Sequence, residues 1–351
     1  MAYTTIDDPT IYFNTKLYTG NATDNTGITG VGFQPDWTWL KDRTNANHHR
    51  IYDSVRGATK VIYSSLTNAE GTASTGLKSF DSDGFTLGTG SDENGSSANF
   101  VSWNWLASNT TASNTDGSIT STVSANTTAG FSICSWTGTA ANATVGHGLG
   151  QALDMVIVKN RDDADDWITW HNAFAGTEFI RLNVTNAKQT AAIRWNSTIP
   201  TSSVFSLGSS NGSNGSSDDM IAYCFAEKKG YSKFGNYTGN GGSSGVNNAD
   251  GTFVFTGFSP AWIMIKRTDS AQQWGIADSK RDVDNPVQHH LFAESNQADS
   301  ASSYNNFDFL SNGFKLRSGD QWTNASGGTY IYMAFAESPF VSSGGIPCTA
   351  R

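Results

Sequence analysis

The sequence predicts an all-β chain made of three diverged copies of one sandwich-like unit, and three observations predict it. Three markers recur in the same order along the chain. Large apolar residues alternate at period two within them, the signature of a strand that buries one face. No segment keeps a helical period over three turns.

The first marker is an aromatic-Thr-Gly turn: Tyr18-Thr19-Gly20, Trp136-Thr137-Gly138 and Tyr237-Thr238-Gly239. The second is a strand that ends near a lysine. It carries Trp37, Trp39 and Lys41 after Pro35 in the first copy, and Trp262, Met264 and Lys266 after Pro260 in the third. The middle version, with Met155, Ile157 and Lys159, keeps the alternation and lacks the proline. The third marker is a hairpin with a long polar loop. Its closing strands carry Val101, Trp103 and Trp105; Ile221, Tyr223 and Phe225; and Ile331, Met333 and Phe335. Further strand candidates lie between the second and third markers, enough for a two-layer sandwich in each copy. The copies span 1–107, 108–228 and 229–340, with a tail over 341–351. Ser108 to Thr128 reads as a Ser/Thr/Asn-rich joint.

Composition narrows the function. Charged residues are only 15% and aromatics 12%, with a net charge of −9. That balance offers no basic face for a phosphate backbone, so nucleic acid is not an expected partner. No apolar run approaches the ~20 residues of a membrane helix, and membrane insertion is not expected. Cys134, Cys224 and Cys348 are too scattered for a disulfide framework or a metal spacing, and the first two read as buried thiols. The opening residues carry neither a basic nor an apolar leader region. A surface-like composition without a leader points to synthesis in a host cytoplasm and release by lysis.

Candidate sites were sought by chemistry. Asp162, Asp163, Asp165 and Asp166 offer hard oxygen ligands for Ca²⁺, although the run lacks the glycine and terminal glutamate of an EF-hand loop and a solvated turn is the favoured reading. The pairs His48-His49 and His289-His290 point to opposite faces of a strand and cannot chelate as units. For ligand contact, the expected residues are Trp322 with Asp320 and Asn324, in the polar loop of the third hairpin, and Asp92 with Asn94, in the first. An exposed Trp322 would stack on a sugar ring. Asp92-Glu93 is the nearest approach to a glycosidase acid pair, but a glycine-rich loop is poor support for preorganised acids. No catalytic residue, resident metal or cofactor is expected, and the chain reads as a non-enzyme. Of the pairs Trp37/Trp39 and Trp103/Trp105, at least one member each is expected in a core.

With the markers in place, a resemblance emerges. The order of strand, Gly-Phe-x-Leu turn (Gly84-Phe85-Thr86-Leu87), polar loop and closing aromatic strand resembles the concanavalin A-like, laminin-G-like sandwich superfamily. The stretch from Phe33 and Trp37 through His48-His49 and Arg56-Gly57 to Phe80 and Phe85 looks like repeat domains of marine bacteriophage structural and tail-fibre-like proteins, as does the closing run Tyr330 to Glu337. The resemblance implies three tandem concanavalin A-like or jelly-roll β-sandwiches at the surface of a virion. The leading expectation is a tail fibre or surface appendage that meets the host envelope through a glycan or receptor. The alternative is a capsid decoration or knob protein without a receptor role, and the third reading is a glycan-degrading enzyme. Other virion proteins are the expected partners, with a homo-oligomeric arrangement in the particle.

Overall fold

The computed structural model describes residues 2–242, 250–301 and 307–349. Its regular structure is almost wholly antiparallel strand, with only short helical turns such as Ser91–Asn94, Ala192–Trp195 and Asn211–Asn214. The alternating aromatic runs become strands because the pleat puts every second side chain on one face, where bulky and branched groups pack well.

One strand order occurs three times. In the first segment the sheet runs Phe13–Thr19, Asn99–Trp105, Trp37–Asp42, Arg50–Asp53. In the second, Phe131–Thr137, Asp219–Phe225, Met155–Asn160 and Ile168–His171 stand in the same order, and in the third Ser232–Thr238, Thr329–Pro339, Phe258–Arg267 and Trp274–Asp278 do so. In each case the closing strand of the hairpin lies at the centre, between the Thr-Gly strand and the lysine strand. A smaller sheet belongs to each segment: Thr26–Thr29, Gly84–Leu87 and Leu77–Asp81; then Ala143–Gly146 with Val204–Leu207; then Phe253–Phe255, Gly313–Leu316 and Phe307–Leu310.

Two details depart from the sequence reading. The Ser/Thr/Asn-rich joint is not a linker, because Ala112–Asn114 and Ser121–Asn126 add to the middle sheet and widen it to eight strands. Pro260 lies inside the strand Phe258–Arg267, where the register shifts at a bulge, a position that tolerates a residue with no N–H to donate.

The central strands of the large sheets are buried on both faces. All six residues of Trp37–Asp42 and of Met155–Asn160 are buried, polar ones included. One face meets the segment's own small sheet, as Leu40, Tyr52 and Phe100 meet Phe85 and Leu87. The other joins a core shared by all three segments, with Trp37 and Trp105, Phe131 and Phe225, and Trp262 and Phe335 in one cluster. Trp37 stacks on Tyr223 at 4.5 Å between ring centroids and lies 4.4 Å from Trp105. Such aromatic pairs add about 0.5–1.5 kcal/mol each beyond the area they bury. Both members of each tryptophan pair are core, and none of the 11 tryptophans is more than 4% exposed.

Candidate functional site

The polar loops expected to carry ligands are closed by their own side chains. Asn94 is fully buried; its amide donates to the carbonyls of Thr23 (2.9 Å) and Gly88 (2.8 Å), and its Oδ1 accepts from the Asn21 N–H. Asn324 repeats the pattern, donating to Gly241 (2.6 Å) and Ser318 (2.9 Å) and accepting from the Asn240 N–H. Asn214 is the third instance, tied to Ala141, Gly208 and the Thr139 N–H. These asparagines pin the hairpin loop to the Thr-Gly turn in each segment, so Asn94 and Asn324 have no amide edge left for a ligand.

Trp322 is corrected as a stacking platform. It is 4% exposed and packs against His290, Phe292 and Phe307, at centroid distances of 5.5, 5.6 and 5.8 Å. Its ring lies so close over Gly275 that a Cβ there would sit 1.8 Å from Cζ3. A wide aromatic next to a residue without a side chain is a core solution. Asp320 is partly exposed and caps the turn beneath it, its carbonyl accepting from the N–H groups of Thr323 and Asn324. Asp92 pairs with Arg50 Nη2, and Glu93 takes Arg50 Nη1 at 2.8 Å and the Tyr52 hydroxyl at 2.5 Å. Burial pushes the Glu93 carboxyl up while Arg50 pulls it down.

The acidic run is occupied by protein donors. Asp162 accepts from the Asp219 N–H, Asp163 and Asp165 share the Asn211 amide, and Asp166 takes Asn183 and Arg181. Among the described residues no three His, Cys, Asp or Glu side chains stand together as a metal cluster. Cys134 and Cys224 are buried and unbridged.

The segments meet at three junctions that close in a ring. Between the first and second, Arg56 and Asp53 form an ion pair with both side chains fully buried, and the Tyr223 hydroxyl of the second segment donates to Asp53 at 2.6 Å. Glu70 bridges Arg56 (3.2 Å) and Arg161 (2.8 Å), and its N–H donates to the Arg161 carbonyl. Between the third and first, Arg281 and Asp278 repeat the buried pair, with Trp103 Nε1 donating to Asp278 at 3.1 Å. Asp299 then bridges Arg281 and Arg43, with its N–H on the Arg43 carbonyl. Breaking such a pair costs more than forming it gains, since one buried charge would be left uncompensated.

A lysine marks each junction. Lys41, Lys159 and Lys266 are fully buried, and each ammonium is held by backbone carbonyls, one of them from the neighbouring segment: Asn296 (3.4 Å), Thr67 (3.1 Å) and Thr185 (2.8 Å) respectively. Burial pushes each of these ammonium groups down to about 8, while the carbonyl oxygens favour the charged form.

The junction between the second and third segments keeps the backbone contact and loses the ion pairs. The Lys188 N–H donates to the Thr268 carbonyl at 2.9 Å, as Glu70 and Asp299 do elsewhere. Yet His171 stands where the others have Asp53 and Asp278, and Phe174 where they have Arg56 and Arg281. Lys188 replaces the bridging carboxylate, and Thr268 replaces Arg161 and Arg43. The His171 Nδ1 accepts from the Ala173 N–H, so its Nε2 donates to the Tyr332 carbonyl at 3.2 Å. Burial lowers this imidazole to about 4. A cavity of about 240 Å³ remains, lined by Phe174, Lys188, Asn236, Thr238, Thr268 and Thr329. Of these residues the sequence marks only Thr238, as part of the third Thr-Gly turn and not as a site. The signal lay in aligning the three copies and asking where two keep an Arg–carboxylate–Arg set and one does not.

No curated protein and no solved structure matches the chain. A family model described as a domain of unknown function, DUF7483, matches residues 8–339, nearly the full length. On that match the chain belongs to the DUF7483 family.

Proposed function

We propose that this protein is a non-enzymatic structural component of a bacteriophage virion, a tail fibre or surface appendage that meets the host envelope through glycans. It is read as three tandem concanavalin A-like sandwiches over 1–107, 108–228 and 229–340. The observation that carries this reading is the strand order repeated three times, with the three sheets contributing to one core and the junctions closing on each other. A trimeric assembly is thereby built from one chain, and a particle-borne protein with a threefold partner has a use for that form. The low charge and acidic balance support a surface role without nucleic acid. The acids of the first hairpin support a non-catalytic reading, because Asp92 and Glu93 are both engaged by Arg50. Copies are proposed to repeat around the particle beside other virion proteins, made in the host cytoplasm and released by lysis.

A second reading, a capsid decoration or knob protein, is favoured by the closed junctions and by the want of any heptad or β-helix repeat in the sequence. Immunogold electron microscopy of particles separates the two. Label on the tail or its appendages supports the first, label over the capsid supports the second, and particles without label sink both. A glycan array with the purified chain, run with host-adsorption competition, tests the receptor role.

A further inference from the structure

We propose that the cavity between the second and third segments binds a single neutral sugar ring. This rests on the glycan-contact reading above and names its site.

This junction departs from its two sisters. The same place is filled by Arg56, Glu70 and Arg161 in one junction and by Arg281, Asp299 and Arg43 in another. In the third, Phe174, Lys188 and Thr268 leave about 240 Å³. Loss of a buried ion-pair set is tolerated when it is replaced as a whole, but here the space is left open instead of being filled by apolar side chains.

The wall of the cavity is polar on one side. Thr238 projects a hydroxyl, both donor and acceptor, and Asn236 an amide with two donors and an acceptor, while the Thr268 and Thr329 hydroxyls bond each other at 2.7 Å and Tyr330 and Ile331 add apolar wall. Among the described residues, no protein group hydrogen-bonds the Asn236 side chain or the Thr238 hydroxyl. Both residues are exposed, so they are accessible to a ligand. The one cation is already neutralised, because Lys188 Nζ lies 2.6 Å from Glu178 and over the Phe174 ring at 5.4 Å. An anion therefore finds no free counter-charge, and an apolar ligand would cover the Asn236 amide and the Thr238 hydroxyl without giving them a partner. A ring bearing several hydroxyls satisfies the wall. The volume falls below the ~300 Å³ lower end of drug-sized pockets, which limits the ligand to one ring.

Saturation-transfer NMR on the full chain, with glucose, galactose, mannose and N-acetylglucosamine in turn at millimolar concentration, tests this. At least one sugar should receive saturation, and the double variant Asn236→Ala, Thr238→Val should weaken it about five-fold or more, the loss expected from one or two hydrogen bonds. Both changes are on exposed positions, so folding is retained. A graft of the sister junction (His171→Asp, Phe174→Arg, Lys188→Glu, Thr268→Arg) should fill the space and abolish the signal, read on protein whose circular dichroism shows the strands retained. No transfer from any of the four sugars, or an unchanged signal in the double variant, overturns the proposal. Adsorption to host cells separates the two levels. If the wild type and the double variant adhere equally, the cavity is not the site and host contact stands. If neither adheres and no sugar binds, both fail.

Discussion

The first and third hairpin loops occupy the same place in the fold and solve it by opposite chemistry. In the first, Asp92 closes on Arg50. In the third, Trp322 takes the place of Asp92 and packs over Gly275, which takes the place of Arg50. The junctions show the same contrast on a larger scale: two are sealed by buried Arg–carboxylate networks, and one keeps His171, Phe174 and a cavity. The lesson is that the backbone pattern is what the three segments share. The β ladder, the asparagine staple and the buried lysine recur, while the side chains between them are exchanged in complementary sets.

The largest expected effect breaks a sealed junction. Asp53→Ala strands the buried Arg56 guanidinium and should cost about 3–5 kcal/mol, read as a shift in the urea midpoint. The corresponding His171→Ala, with no cation to strand, should cost clearly less. Equal losses would mean that the ion pair does not seal the first junction.

Acid should act on the open junction. The folded His171 is held near 4 against about 6.5 in the unfolded chain. The unfolded state therefore binds more protons between those values, and the stability from this group is lost as pH falls from about 6.5 to about 4. The full contribution is ~3 kcal/mol. His147, also lowered to about 4 by burial, adds in the same direction. Denaturation followed from pH 7 to pH 4 should show this loss, and His171→Gln should flatten it. An unaltered slope in that variant would remove His171 as a contributor.

The asparagine staples are expected to be comparable with one another. Asn94→Ala, Asn214→Ala and Asn324→Ala each leave carbonyls and an N–H unpaired, at a cost of about 2 kcal/mol, checked by thermal melts of the three variants. A neutral result at one of them would mean that its loop is not held by the staple. Smallest of all, Asp163→Asn should change stability by less than ~0.5 kcal/mol, because its carboxylate is exposed and accepts from the Asn211 amide. A melting temperature that rises on adding Ca²⁺, and does so only with Asp163 intact, would restore the acidic run as a metal site.

Much of the fold was legible in the residues. The period-two large apolar residues at Trp103 and Trp105, Tyr223 and Phe225, and Met333 and Phe335 locate the central strand of each sheet, because a strand that buries a face must alternate. The candidate site was not legible, for a physical reason. The neighbours of Trp322 in sequence are polar, which makes it the best stacking candidate among the tryptophans, yet its neighbours in space are Phe292, Phe307 and the bare backbone of Gly275. Asn94 and Asn324 stand in polar loops as ligand-contact candidates, and the chain folds the Thr-Gly turn back onto them.

The sequence alone determined the strand periodicity, the threefold recurrence of markers and the low, acidic charge, since each depends on composition or local spacing. Only the tertiary structure decided which faces are covered twice, which charges meet across junctions and where space is left. Those outcomes depend on residues such as Arg56 and Tyr223, 167 positions apart, and no local pattern encodes a meeting at that distance.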